Sequence, residues 1–126
     1  MITKRVLTPL NAVTATTTSA SIAVRRMKRL TAMFKRANHS AGSSTFEILG
    51  SIDEGTTFIA LPLLIPQANT NSQTLTREAS TALSSNTTVF RMLEEIWNNL
   101  THIQVKVTEA TDGTHTATIL IEEEND

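Results

Sequence analysis

Two runs near the end of the chain constrain the fold most. Ile103, Val105 and Val107 alternate with His102, Gln104, Lys106 and Thr108. After a break at Asp112-Gly113, Ala117, Ile119 and Ile121 alternate with Thr116, Thr118 and Leu120. Successive strand residues point to opposite faces, so each run reads as a strand with one apolar side. If the two runs form a hairpin, the turn sets their register. A two-residue Asp112-Gly113 loop places Ile119 opposite Lys106, and a one-residue slip turns every side chain to the wrong face. A three-residue loop, Thr111-Asp112-Gly113, pairs Val107 with Ala117, Val105 with Ile119 and Ile103 with Ile121. Gly113 then takes the left-handed position of a type I turn with a G1 bulge, where a missing Cβ removes the steric cost. The same register sets His115 opposite Glu109 and His102 opposite Glu122.

"FEILGSIDEGTTFIALPL" (46–63) answers to the same test. Phe46, Ile48 and Ile52 share one face, as do Ile59, Leu61 and Leu63. A four-residue loop, Asp53-Glu54-Gly55-Thr56, matches Ile48 with Leu61 and Phe46 with Leu63. Pro62 has no N–H, so the second strand lies at an edge or leaves the ladder there.

Short alternating runs rich in Thr, Val and Ile recur about every ten residues, which is the spacing of an all-β sandwich or barrel. Strands are expected near 3–8, 12–17, 20–25, 28–37, 44–52, 57–64, 72–80, 87–94, 101–110 and 115–122. The segments 38–44 and 67–71 read as loops. With 126 residues and no repeat or linker, the expectation is one antiparallel β-sandwich domain, jelly-roll-like, spanning 1–126 with an arm over 1–11. "NTTVFRMLEEIWNNL" (86–100) is ambiguous, since Val89, Leu93, Ile96, Trp97 and Leu100 also recur at helical spacing. The favoured reading is a strand to about Glu94 and a turn over Glu95–Asn99, with one short helix near 89–99 as the alternative.

The net charge of −1 conceals a segregation. Residues 1–46 carry eight Lys or Arg and no acid, whereas 47–126 carry three bases and all twelve acids. Either basic and acidic strands lie side by side and cancel, or the surface is polarised toward a charged neighbour. The cluster Arg25-Arg26-Met27-Lys28-Arg29 raises nucleic-acid binding. Single-strand readers add stacking aromatics, and this chain has no Tyr and one Trp. Sugar modules present aromatic platforms; Phe34, Phe46, Phe58 and Phe90 all fall in patterns that look inward, leaving only Trp97 for that role.

Catalytic constellations are missing from the sequence. The absence of cysteine removes disulfides, thiolate metal sites and cysteine nucleophiles together. His39, His102 and His115 are scattered, and Glu94 and Glu95 as strand neighbours point apart. Nucleophile elbows, phosphate loops, zincin helices and dinucleotide fingerprints do not occur. Asp53-Glu54-Gly55 lacks the alternating oxygen ligands of a calcium loop and reads as a plain turn. Three glycosylation sequons, at Asn38, Asn86 and Asn99, are the number that Thr- and Asn-rich composition produces by chance. No run approaches the ~18 apolar residues of a membrane helix, and no signal peptide is expected. The reading is a non-enzyme with no cofactor, metal or membrane partner.

Three stretches, "ANHSAGSSTFEILGSIDEGTTF" (37–58), "ANTNSQTLTREASTAL" (68–83) and "HIQVKVTEATDGTHTATILIEE" (102–123), resemble small β-sandwich structural proteins of tailed-phage virions. The resemblance covers about half the chain and rests on turn and strand patterns. It implies a jelly-roll or immunoglobulin-like sandwich that decorates or cements a capsid, or that belongs to a fibre or tail. The implied location is the virion, the implied partners are the major capsid protein or other virion proteins, and a symmetric homo-oligomer such as a trimer follows by analogy. Under that reading Lys4, Arg5, Arg25, Arg26, Lys28 and Arg29 are the candidate partner-binding residues, with Glu122–Asp126 turned outward or toward a basic neighbour. A carbohydrate- or ligand-binding sandwich module is the alternative.

Overall fold

The computed structural model describes residues 1–66, 76–93, 99–109 and 112–124. They form twelve strands and, among the described residues, no helix: β1 (Ile2–Val13), β2 (Thr17–Thr18), β3 (Ile22–Ala23), β4 (Met27–Ala37), β5 (Ser44–Ser51), β6 (Ile59–Ala60), β7 (Leu63–Ile65), β8 (Thr76–Glu78), β9 (Thr81–Leu83), β10 (Thr87–Leu93), β11 (His102–Glu109) and β12 (Thr114–Glu124). One sheet runs β1-β12-β4-β10-β7-β8 and the other β2-β11-β5-β6, with β3 beside β11 and β9 beside β5. All pairings are antiparallel. The architecture is therefore the expected antiparallel β-sandwich.

Strand parity places the core as the sequence predicts. Ile103, Val105, Val107, Ala117, Ile119 and Ile121 are all fully buried, together with Leu30, Ala32, Phe34, Phe46 and Ile48. Removing a Val, Ile, Leu or Phe side chain from water contributes about 1.5–3 kcal/mol each, the main force closing the two sheets. Phe34 of β4 stacks on Phe46 of β5 across the interior, with ring centroids 4.7 Å apart.

The pairing of the last two strands differs from expectation. Val105 lies opposite Ile48 in one sheet, while Ile119 lies opposite Leu7 and Ala32 in the other. The chain changes sheets between Glu109 and Thr114, so the two runs face each other through the core. Alternation reports which face is buried and is silent on which strand lies beside it. Both strands are paired on both edges, β11 by β2 and β3 on one side and β5 on the other, and β12 by β1 and β4. The His115–Glu109 and His102–Glu122 pairs fall with the hairpin. Gly113 does adopt a positive φ of 110°, and a Cβ there would meet Ala37 O and Arg36 Nε at 3.1 Å.

The other hairpin keeps its expected register as far as Ile48 and Leu61, but the expected Phe46–Leu63 pair does not form, Phe46 lying opposite Thr81 instead, and Ile59 is exposed rather than inward. Gly50 pairs with Ile59 and Leu49 with Ala60, and the Leu61 N–H donates to Ile48 O at 2.9 Å. At Pro62 the chain leaves that ladder, and Leu63–Ile65 joins the opposite sheet beside β10 and β8. Ile52 is not inward: β5 ends at Ser51 and its side chain is 75% exposed. The Ser51 hydroxyl accepts from the Gly55 N–H and donates to Asp53 Oδ1, which also accepts from the Thr57 N–H. Those bonds hold the ionised carboxylate and lower its pKa to about 2. Glu54 and Gly55 carry the positive φ values that close the loop.

Residues 2–11 and the side chain of Phe90 depart from expectation, whereas the strand favoured up to about Glu94 is observed as β10. Residues 2–11, read as an arm, are the greater part of edge strand β1, paired along β12. Residues 89–93, which the helical alternative included, are strand, in register with β4; 94–98, with Trp97, lie outside the described residues. Phe90 faces outward and is 54% exposed, because Val89 and Leu93 take the core side of β10.

Candidate functional site

The six cations singled out in the sequence gather at one corner. Lys4 and Arg5 stand opposite Glu122 and Ile121 in the β1–β12 ladder, and Arg29 stands opposite Glu122 on the other side. Arg5 Nε meets Glu123 Oε1 at 2.9 Å and its Nη2 donates to Ala23 O. Lys28 Nζ lies 3.1 Å from Glu124 and Arg29 Nε 3.6 Å from Glu122, while the Arg25 N–H donates to Glu123 Oε2. Arg26 has a φ of 50° and, with Lys28, Asn99 and Glu124, lines a shallow pocket of about 340 Å³. The basic N-terminal third and the acidic C-terminus thus lie side by side and offset one another. Exposed pairs of this kind contribute ~0–1 kcal/mol each, so their main effect is on the charge the corner presents.

A second surface spans the outer side of the six-stranded sheet. The strand registers align Val6, Leu120, Thr31, Met92, Leu64 and Arg77 in one row across all six strands from β1 to β8. The adjacent row brings Thr118, Met33 and Phe90 together. Val6 is 68% exposed and Leu120, Met92 and Leu64 are partly exposed. At ~4.8 Å per strand the band is about 24 Å wide. Soluble monomers rarely leave so continuous an apolar strip uncovered.

A third feature opens at the end of the sandwich that carries the Asp53 loop. A cleft of about 430 Å³ is lined by Gly50, Ile52, Asp53, Thr57, Ile59, Ala60, Leu61 and Leu100. Its walls are nearly all aliphatic. Gly50 makes the floor, since a Cβ there would fall 2.8 Å from both Leu61 and Leu100 side chains.

The opposite end is sealed by polar groups. Arg36 is 1% exposed. Its Nη1 donates to Gly42 O and Leu83 O, and its Nη2 to Ala41 O and Asp112 O, at 2.7–3.0 Å. The Asp112 carboxylate, 3.4 Å from Nη2, accepts from the Ser40 hydroxyl and from the Ser40 and Ala41 N–H groups. These bonds hold its pKa below the ordinary carboxylate value. Beside Arg36 in the ladder, buried His115 meets Ser44 Oγ at 2.6 Å and Val13 O at 3.0 Å. The arrangement ties the segments around Ala41, Leu83 and Asp112 together, and on its outer side exposed Ser40 and partly exposed Asp112 face solvent, with His39 Nδ1 3.9 Å from the Asp112 carboxylate. His115, set opposite Glu109 by the expected hairpin, is instead buried beside Arg36, and parity marks both as inward: Arg36 follows Leu30, Ala32 and Phe34 at period two, and His115 precedes Ala117 and Ile119.

Among the described residues no three His, Asp or Glu side chains lie close enough to hold a metal ion. The fold is a two-sheet antiparallel β-sandwich. No protein-family model matches the chain, and no curated protein matches it in sequence. Among solved structures, the SPBc2 prophage-derived protein YomS is similar over 96% of this chain and 95% of its own, with a TM-score of 0.62 and 16% identity. That likeness establishes a shared fold. A Bacillus endospore appendage structure, from a family of disulfide-linked pili, aligns over 100% of this chain and 87% of its own at a TM-score of 0.46 and 8% identity.

Proposed function

We propose that this chain is a non-enzymatic structural protein of a phage particle, an auxiliary protein that decorates or cements the capsid shell. The observation that carries the reading is the apolar band Val6–Leu120–Thr31–Met92–Leu64 with Met33 and Phe90, on a sandwich whose fold a prophage-derived protein shares. Protein contact surfaces have this composition: apolar centres, methionine and aromatic side chains, threonine hydroxyls, and cations at the rim. The major capsid protein, or another virion protein, is the partner this reading names, and the virion is the location. A place on a fibre or tail would use the same face.

Lys4, Arg5, Arg25, Arg26, Lys28 and Arg29 enter the proposal as a rim that Glu122, Glu123 and Glu124 already half neutralise. Mass spectrometry of purified particles tests the reading: the chain should appear in stoichiometric amounts. Phe90→Asp should strip it from particles at moderate salt, while neutralising Arg25, Arg26, Lys28 and Arg29 should alter mainly the salt dependence of attachment. Particles lacking the chain altogether would refute the assignment.

A further inference from the structure

Among the described residues, five of the six large hydrophobic side chains left exposed fall into two groups, one at a corner where cations outnumber acids and one beside acids. Met1, Ile2 and Val6 lie on or beside the β1 edge, at the corner where six cations, Lys4 and Arg5 among them, outnumber Glu122, Glu123 and Glu124 on the paired strand. Ile52 and Ile59, 75% and 66% exposed, flank the 430 Å³ cleft, where the flanking charges are Asp53 and Glu54. β1 is the outermost strand of its sheet and packs over β2 and β11, whereas β6 closes the far side of the other sheet. The two groups therefore sit at opposite lateral edges, and one copy does not bring its own β1 to its own cleft.

We infer that the β1 edge of one copy docks at the Ile52–Ile59 cleft of a second copy, with Ile2 as the apolar knob and Lys4 meeting Asp53 and Glu54 at the rim. Geometry and charge both favour a second copy as the occupant. Ile2 and Lys4 are alternate residues of one strand, so both point to the same face about 6.5–7 Å apart. The cleft carries its aliphatic wall and its acidic rim in the same adjacency, because Ile52 and Asp53 are consecutive. The volume lies in the range of ~300–1,000 Å³ typical of sites that take an apolar group. Asp53 is held ionised by Ser51 and Thr57, so the rim keeps its charge at neutral pH. In the competing arrangement, two β1 edges side by side, the registers centred on residues 4–5 set Lys4 or Arg5 against its own copy, and like charges directly opposite are destabilising. β1 also carries bulges after Leu7 that bend its second half, which limits edge-to-edge pairing.

Because the two surfaces differ, the contact is heterologous and propagates into a ring or an open array. It needs no phage partner, so it can fail while the attachment reading stands, and the reverse.

The chain contains no cysteine, which makes cross-linking clean. Under mild oxidation, a mixture of Ile2→Cys and Ile59→Cys proteins should give a disulfide-linked heterodimer in excess of either homodimer. In sedimentation, Lys4→Glu and Asp53→Lys should each weaken self-association about fivefold, the scale of one exposed ion pair. Mixing those two variants should restore association, because each supplies the partner the other lacks, and this rescue separates a lost contact from a misfolded edge. A wild-type chain that stays monomeric at high concentration overturns the inference. So does an Ile2→Cys homodimer that outcompetes the mixed product, or a charge-swapped mixture that fails to recover.

Discussion

The two ends of the sandwich solve the same problem in opposite ways. Between the sheets, each end must either cover its apolar interior or leave it open. At the end where β4 finishes, Arg36 reaches into the interior and ties the carbonyls of Ala41, Gly42, Leu83 and Asp112 together. At the end where β5 finishes, no charged side chain plugs the gap among the described residues, and aliphatic groups from Gly50 to Leu61 stand around an open cleft. One end spends a buried cation on closure; the other keeps apolar surface available. The two terminal nitrogens of the Arg36 guanidinium are satisfied by four carbonyls, while its Nε has no hydrogen-bond acceptor.

The largest expected effect tests the closed end. Arg36→Met should destabilise the fold by about 3–5 kcal/mol, because four carbonyls and the Asp112 carboxylate lose their shared donor in a buried site. Arg36→Lys should recover little, since an ammonium cannot reproduce the fork. Urea denaturation checks both; a loss below 1 kcal/mol would erase the distinction between the ends.

Next come the two turn glycines, one at each end. Gly113→Ala should cost ~1–3 kcal/mol, from its φ of 110° and from the 3.1 Å approach to Ala37 O. Gly55→Ala meets only ordinary contact with the His102 ring at 3.6 Å, so its cost should be the ~1 kcal/mol of a positive φ. Equal losses at the two sites would show that packing around Arg36 is no tighter than at the open end.

Acid should sharpen the comparison further. Asp53 has a folded pKa of about 2, below its unfolded value of 3.8, so its contribution is present above pH ~4 and is lost as pH falls toward 2. Asp53→Asn should flatten the pH dependence of thermal stability in that window; Asp112→Asn should do the same at the other end, where Ser40 holds the carboxylate ionised. The smallest effect belongs to Ile59→Ser, at a side chain 66% exposed, with a change within ~0.5 kcal/mol in the monomer. A larger loss would mean the cleft is structural after all.

Much of the fold was legible because a strand writes its buried face into the sequence at period two. That rule found Ile103, Val105, Val107, Ala117, Ile119 and Ile121, and together with Pro62 it found the 48–61 register. It would also have found Arg36 and His115 inside, had charge not argued against reading them as core. The segregated charges were visible as well, but their outcome was not. Glu122–Glu124 lie against Lys4, Arg5, Lys28 and Arg29 only because β12 is inserted between β1 and β4. The candidate docking surfaces were the least legible. Val6, Met33, Phe90, Met92 and Leu120 are far apart in sequence, and they become a band when six strands align.

By itself the amino-acid order determined the strands, the side of each that is buried, and the places where glycine or proline must break a ladder. Those properties depend on neighbours one or two residues away along the chain. Which strand lies beside which was decided only in three dimensions, where β11 and β12 part to opposite sheets and the outer band and the open cleft come into being. Local sterics and alternation act within a strand, whereas pairing between strands is chosen by the burial and hydrogen bonding of the whole chain at once.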